Sequence, residues 1–171
     1  GFFTRDKDIH IIGGGDTALE EALFLTRFAR SVTVIHRRDA LRAGAILEKR
    51  ARSHPKIHFL WNTIVDEIRG EEKVSVLQVH DVKTREARQI PTGAVFIFIG
   101  HSPNVSLLGG QITLDDLGYV KIDAKMETNI PGVFAAGEIA DPHYRQVITS
   151  AGMGAAAAIS ATHYLENLER L

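Results

Sequence analysis

The sequence predicts an α/β protein built on a parallel sheet, with an antiparallel ribbon inserted and a second segment following a boundary near residues 101–110. Three observations carry that expectation. A short β-branched run, Asp8 to Ile12, ends in Gly13-Gly14-Gly15, and a helical pattern and a second β-branched run follow it. From Ile57 to Pro91 the chain breaks into short runs punctuated by Gly70-Glu71-Glu72, as a ribbon would. GAVFIFIG, from Gly93 to Gly100, is a continuous apolar run with the composition of a central buried strand.

Each element has its own reason. Asp8 to Ile12 runs straight into glycine and reads as a buried strand ending in a turn. Ala18, Ala22, Leu25 and Ala29 recur at three or four residues, which predicts a helix from Asp16 to Arg30. Ser31 to Ile35 is the next strand, and Leu41 to Ser53 a second helix ended by Pro55. Strand, helix and strand so close together form a βαβ unit, expected to be right-handed with parallel strands. HFLWNTIVDEI, VSVLQVHDV and ARQI supply the ribbon, and HSPNVSLLGG is rich in turn residues. Beyond a polar stretch through Met126, a short strand is expected at Val133 to Ala135 and a final helix from Tyr144 to Leu168.

Bulk composition narrows the function. The chain of 171 residues holds 20 Lys and Arg against 21 Asp and Glu, a net charge of −1, so no overall field favours nucleic acid or an anionic membrane. Any anion site must be local. With no cysteine, this chain has no disulfide, thiolate zinc site or thiol chemistry of its own. No run approaches the ~18 apolar residues of a membrane span, and no secretory signal is evident, so a soluble protein of the cytoplasm is expected. The histidines do not predict a metal site: Pro55 separates His54 from His58, and no H-x-x-x-H lies on a helix.

Gly13-Gly14-Gly15-Asp16-Thr17-Ala18 fits G-x-G-x-x-A, a dinucleotide-binding fingerprint. Gly13 lets the strand turn, Gly15 lets the backbone approach a pyrophosphate, and Ala18 lets the helix lie close to the strand. The helix N-terminus offers free N–H groups and the positive end of its dipole. About 20 residues on, an acidic residue would select NAD by binding the ribose 2′-OH, whereas arginines would accept the 2′-phosphate of NADP. His36-Arg37-Arg38 stand there, with Arg42 expected one turn into the second helix. The cluster therefore predicts NADPH, through guanidinium forks on phosphate oxygens. A solvated basic loop is the bland alternative.

GGGDTALEEALFLTRFA, VIHRRDALRA, IGHSPN, GVFAAGEIAD and YRQVITSAGMGAAAA together closely resemble the bacterial thioredoxin reductases of low molecular weight, in that family's order and spacing. The resemblance runs from Gly1 to about Leu168. It implies a Rossmann-like NAD(P)-binding domain of the flavoprotein type that carries two dinucleotide-binding domains. Residues 1–103 would form the NADPH domain with its inserted ribbon, and residues 104–171 the returning, incomplete segment of an FAD-binding domain. It also implies that the chain begins just after a C-x-x-C pair, because Gly1-Phe2-Phe3 matches the end of the Asp-Gly-Phe-Phe stretch behind those cysteines. The N-terminal FAD segment and the redox cysteines would then lie outside it. NADPH and FAD are the implied cofactors, thioredoxin the partner of the parent protein, and a homodimer its assembly.

By the same resemblance, Ile99 joins the nucleotide site, and Glu138, Asp141, Arg145, Gln146 and Val147 belong to FAD. The carboxylate would meet the ribityl hydroxyls, and Arg145, Gln146 and Val147 would open the long helix toward the flavin. Glu138 departs from the family's usual Asp, and its extra methylene moves the carboxylate outward by about one bond length. Packing alone is the alternative for this stretch, and Ala155 to Ala158 read as small residues for close helix approach. Ferredoxin–NADP reductases related to thioredoxin reductase share the fold and a similar arginine signature. Gly1-Phe2-Phe3, Glu20-Glu21 and YRQ favour the thioredoxin reductases, and a stand-alone NADPH-binding module is the third reading. No residue of this chain is assigned a catalytic role, and the isolated chain is expected to be inactive.

Overall fold

In the computed structural model, residues 1–168 are described. The chain divides into two compact units, Gly1–Gly100 and the residues from His101 onward. Residues 169–171, which close the expected FAD segment, lie outside the described residues.

In the first unit, β1 (Asp8–Gly13), β2 (Ser31–Ile35), β3 (Ile57–Leu60) and β7 (Ala94–Phe98) form a parallel sheet in the order β3-β2-β1-β7. The register sets Ile9 beside Val32 and Ile11 beside Val34. Strand alternation sends Ile9, Ile11, Val32, Val34 and Ile57 to one face, where they pack with Ala18, Leu19 and Ala22 of α1 (Asp16–Leu25) and Ala51 of α2 (Ala45–Arg52). Ile35, Leu60 and Val95 face the other way. There they meet Leu77 and Val79 of an antiparallel sheet formed by β4 (Thr63–Gly70), β5 (Val74–Asp81) and β6 (Ala87–Pro91). The unit is therefore three-layered: helices, parallel sheet, ribbon.

Several boundaries differ from the sequence expectation. The first helix ends at Leu25 rather than Arg30, because the Thr26 hydroxyl donates to the Leu23 carbonyl and Lys56 Nζ takes the Thr26 and Ala29 carbonyls. The second helix starts at Ala45, not Leu41, so Arg42 lies in the preceding loop, whose backbone bonds to the glycine turn instead of to itself. HFL of the expected ribbon belongs to the parallel sheet as β3, and only residues from Thr63 build the ribbon. GAVFIFIG supplies an edge strand among the described residues, not a central one. Ala94, Phe96 and Phe98 pack toward the helices, while Ile97 remains 55% exposed. The strand expected at Val133 to Ala135 is a single bridge between Phe134 and Glu127.

The second unit is held mainly by turns. Asp115 Oδ1 accepts the N–H groups of Leu117 and Tyr119, and Asp123 Oδ1 those of Lys125 and Glu127. Asp141 does the same on a larger scale, as described below. The closing helix α3 (Val147–Leu168) begins three residues later than expected and has no buried residue along its length. Ala155 and Ala158, expected to pack closely, are exposed within this unit.

Candidate functional site

The C-terminal end of β1 builds the site. Gly13 has φ of 154°, and a Cβ there would collide with the Phe98 carbonyl and meet Ala18 Cβ at 3.0 Å. Gly15 is different: nothing lies within 4 Å of where its Cβ would stand, so the backbone is open just before α1 begins. Ala18 is fully buried against the sheet, as the fingerprint requires. The position the fingerprint leaves free is restricted here as well. A Cβ on Gly14 would run into the His36 imidazole, which is 93% buried by the residue's 7% exposure.

A cleft of about 370 Å³ opens beside this turn. Gly13, Gly14, His36, Arg37, Arg42 and Ile99 of the expected site line it. Gly15, Asp16, Thr17, Ala18 and Arg38 lie outside its lining, with Asp16, Thr17 and Arg38 exposed. Thr63, Ile64 and Val65 form a wall that was not anticipated from the sequence. Only Trp61 and Asn62 separate β3 from β4, and Asn62 turns with φ of 49°, so β4 starts beside the tip of β2.

Electrostatics favour an anion. Among the described residues no ion pair engages Arg37, Arg38 or Arg42. The nearest carboxylate in sequence, Asp39, faces Lys83 Nζ at 3.1 Å instead, and that hydrogen bond lowers its pKa. His36 is held below the usual imidazole range, first by burial and then, against a backbone hydrogen bond at Ala40, by the surrounding arginines. Its Nε2 has no hydrogen-bond partner, and its ring meets Trp61 edge-on at 6.5 Å. Trp61 in turn stacks on Phe59 at 5.0 Å beneath the Arg52 guanidinium.

In the second unit Glu138 is exposed and lines a cleft of about 310 Å³ with Pro103, Asn104 and Tyr119. Asp141 is buried and fully occupied within its own turn. Its Oδ1 accepts the N–H groups of His143 and Tyr144, and its Oδ2 accepts those of Arg145 and the Thr149 hydroxyl. These bonds, the Tyr144 amide first, hold its carboxyl below the usual range. Arg145 has φ of 51° and precedes the helix together with Gln146, so only Val147 of the three residues expected to open α3 lies in it. Among the described residues no three His, Cys, Asp or Glu side chains gather as a metal site would require.

A parallel sheet whose first strand ends in a glycine turn under a helix N-terminus, with arginines at the tip of the second strand, defines a Rossmann-like domain of the dinucleotide-binding class. The chain belongs to the pyridine nucleotide-disulphide oxidoreductases, whose family pattern matches residues 3–154. Thioredoxin reductase of Streptomyces clavuligerus is 51% identical over 169 residues, covering 98% of this chain and 52% of that protein. That of Mycolicibacterium smegmatis is 52% identical over 166 residues, covering 96% and 53%. The crystal structure of thioredoxin reductase from Streptococcus pyogenes matches with a TM-score of 0.78 at 42% identity, over 97% of this chain and 55% of that one. The chain spans about half the length of the curated relatives it matches.

Proposed function

We propose that this chain is the NADPH-binding half of a thioredoxin-disulfide reductase, with residues 1–103 as the NADPH domain and residues 104–171 as the returning segment of the FAD domain. One observation carries the reading: the arginines beside the open glycine turn are free of ion pairs among the described residues. The open space at Gly15 is a cradle that any side chain would fill, which fits a pyrophosphate held by the N–H groups that open α1. Gly13 and Ala18 keep that turn tight, Thr17 stands exposed in the first turn of the helix, and Ile99 lines the cleft from just beyond β7. Arg37, Arg38 and Arg42 hold the 2′-phosphate, and His36 packs beneath them.

In the second unit Glu138, Gln146 and Val147 contact the flavin, while Asp141 sets the turn that presents Arg145. FAD, once bound by the whole protein, supplies two-electron chemistry between NADPH and a cysteine pair. This chain's residues bind and orient. Thioredoxin is the partner of the whole protein, a homodimer its assembly and the cytoplasm its compartment. No helix among the described residues is long and apolar enough to cross a membrane. The relatives named above are all thioredoxin reductases, which favours this reading over a ferredoxin–NADP reductase or a stand-alone binding module.

Calorimetry on the chain tests the nucleotide half: NADP⁺ should bind at least roughly tenfold more tightly than NAD⁺, the effect of about one well-placed charge-assisted contact. Equal affinities would overturn it. The chain alone should not turn over disulfide.

A further inference from the structure

The loop carrying Arg42 is tied to the phosphate turn at two points. The Arg42 N–H donates to the Gly14 carbonyl at 2.7 Å, and the Gly44 N–H donates to Asp16 Oδ1 at 2.8 Å. Between and beside them Leu41, Ala43 and Leu47 rest against the core and hold the loop close to it. The other end of the basic segment meets the same turn, since the His36 ring fills the space beside Gly14. Asp16 thus spends a carboxylate oxygen on a backbone amide 28 residues away, at the point where a carboxylate near a bound phosphate would only repel it.

We propose that Asp16 is a positioning residue for nucleotide specificity: through Gly44 it orients the segment from Arg37 to Arg42 on the glycine turn, so that affinity for the 2′-phosphate depends on a carboxylate that does not touch the ligand. The inference rests on the NADPH reading above and gives it a mechanism. Fixing one attachment leaves the loop free to pivot, and fixing two defines where Arg42 points. A ligand that lacks the 2′-phosphate is blind to that pivot, because its pyrophosphate is met by the turn itself. Loss of the strut therefore lowers affinity for NADP⁺ and spares NAD⁺.

The bland role for an acid at this position is to complement the helix dipole. Substitution separates the two roles. Asp16→Asn keeps an oxygen acceptor for Gly44 and removes the charge, whereas Asp16→Ala removes both. Gly44→Pro removes the donor from the other side, at φ of −60° and ψ of 143°, values proline adopts.

The experiment is calorimetric titration of the chain and each variant with NADP⁺ and with NAD⁺. Retained NAD⁺ binding reports an intact turn. Expected are a loss of NADP⁺ affinity of roughly five- to tenfold in Asp16→Ala and Gly44→Pro, the size of one ordinary hydrogen bond net of solvent, with NAD⁺ changed less than about twofold. Asp16→Asn should stay within about twofold of the parent, and the Asp16→Ala, Gly44→Pro pair should be no worse than either alone. An unchanged preference for NADP⁺ in Asp16→Ala overturns the strut. Equal shifts in Asp16→Asn and Asp16→Ala also overturn it, since charge would then be the cause. A parent chain with no preference for NADP⁺ overturns the NADPH reading itself, an outcome visible before any variant is made.

Discussion

The two units are held together by different means. In the first, Ile9, Ile11, Leu19, Val32 and Val34 are wholly buried and come from segments far apart in sequence, joined by strand register. In the second, the recurrent device is a carboxylate bonded to amides two to four residues on, and the 22-residue helix α3 has Val147 at 89% exposure and no buried side chain. The first unit is a folded object by the ordinary criterion of a closed apolar core. The second has its local conformations set while its largest apolar surface is unburied within the unit. The proposed nucleotide site therefore sits on a self-supporting frame, and the segment proposed to meet flavin has shape without a core of comparable depth.

The contrast breaks most readily in the core. Ile11→Ala should cost about 2–5 kcal/mol in urea unfolding, because it leaves a cavity in close-packed surroundings. Ile159→Ala in α3 should change stability by less than about 0.5 kcal/mol, as surface changes do. Equal costs would mean that α3 is packed as deeply as β1. Glycine substitution sharpens the point. Gly14→Ala must displace the His36 ring, at a cost of about 1–3 kcal/mol and with weakened NADP⁺ binding in calorimetry. Gly154→Ala, with nothing within 4 Å of the new methyl, should instead raise helicity by circular dichroism and stabilise by up to about 1 kcal/mol.

Long-range polar bonds give a smaller effect. Lys56→Met removes two hydrogen bonds to the Thr26 and Ala29 carbonyls just beyond α1 and should cost about 1 kcal/mol in thermal unfolding. Asp123→Ala should speed hydrogen exchange only at the Lys125 and Glu127 amides. The smallest effect is a pH slope. The Thr92 hydroxyl donates to the Ala94 carbonyl at 2.9 Å, so it accepts from His10 Nδ1–H at 2.8 Å and fixes the neutral tautomer. Burial lowers the His10 pKa below its ordinary 6.5, with nearby Asp8 opposing. The unfolded chain then takes up the proton first, so the contribution is complete above pH 6.5 and is lost as pH falls through the folded value. His10→Gln should flatten that part of the profile of unfolding midpoint against pH, in the first unit.

The sequence made the first unit's glycine turn and its two flanking strands legible because each is specified locally. Gly13 is needed for its φ, Ala18 for its size, and β1 and β2 for their β-branched runs. What it concealed was decided at long range. Leu41 to Gly44 has helical composition, yet its amides bond to Gly14 and Asp16, and the helix starts only afterwards. Ile57 to Leu60 alternates no differently from the ribbon that follows, and only its pairing with β2 puts it in the parallel sheet. The basic cluster of the candidate site was visible as charge in the right place. The wall from β4 was not, because it depends on where a two-residue connection points. In the second unit, Asp141 was visible as a site carboxylate but not as the acceptor for three successive amides, since its structural and binding readings share one residue type.

Trp61 is the one tryptophan in the chain, and it stands in the first unit, between the Arg52 guanidinium and the edge of His36. The chain therefore carries its single tryptophan beside His36 and Arg52, whereas its three tyrosines, Tyr119, Tyr144 and Tyr164, all lie beyond Gly100. Emission excited selectively at the tryptophan band reports the surroundings of His36, and a melting curve followed by that signal describes the first unit while leaving the other dark.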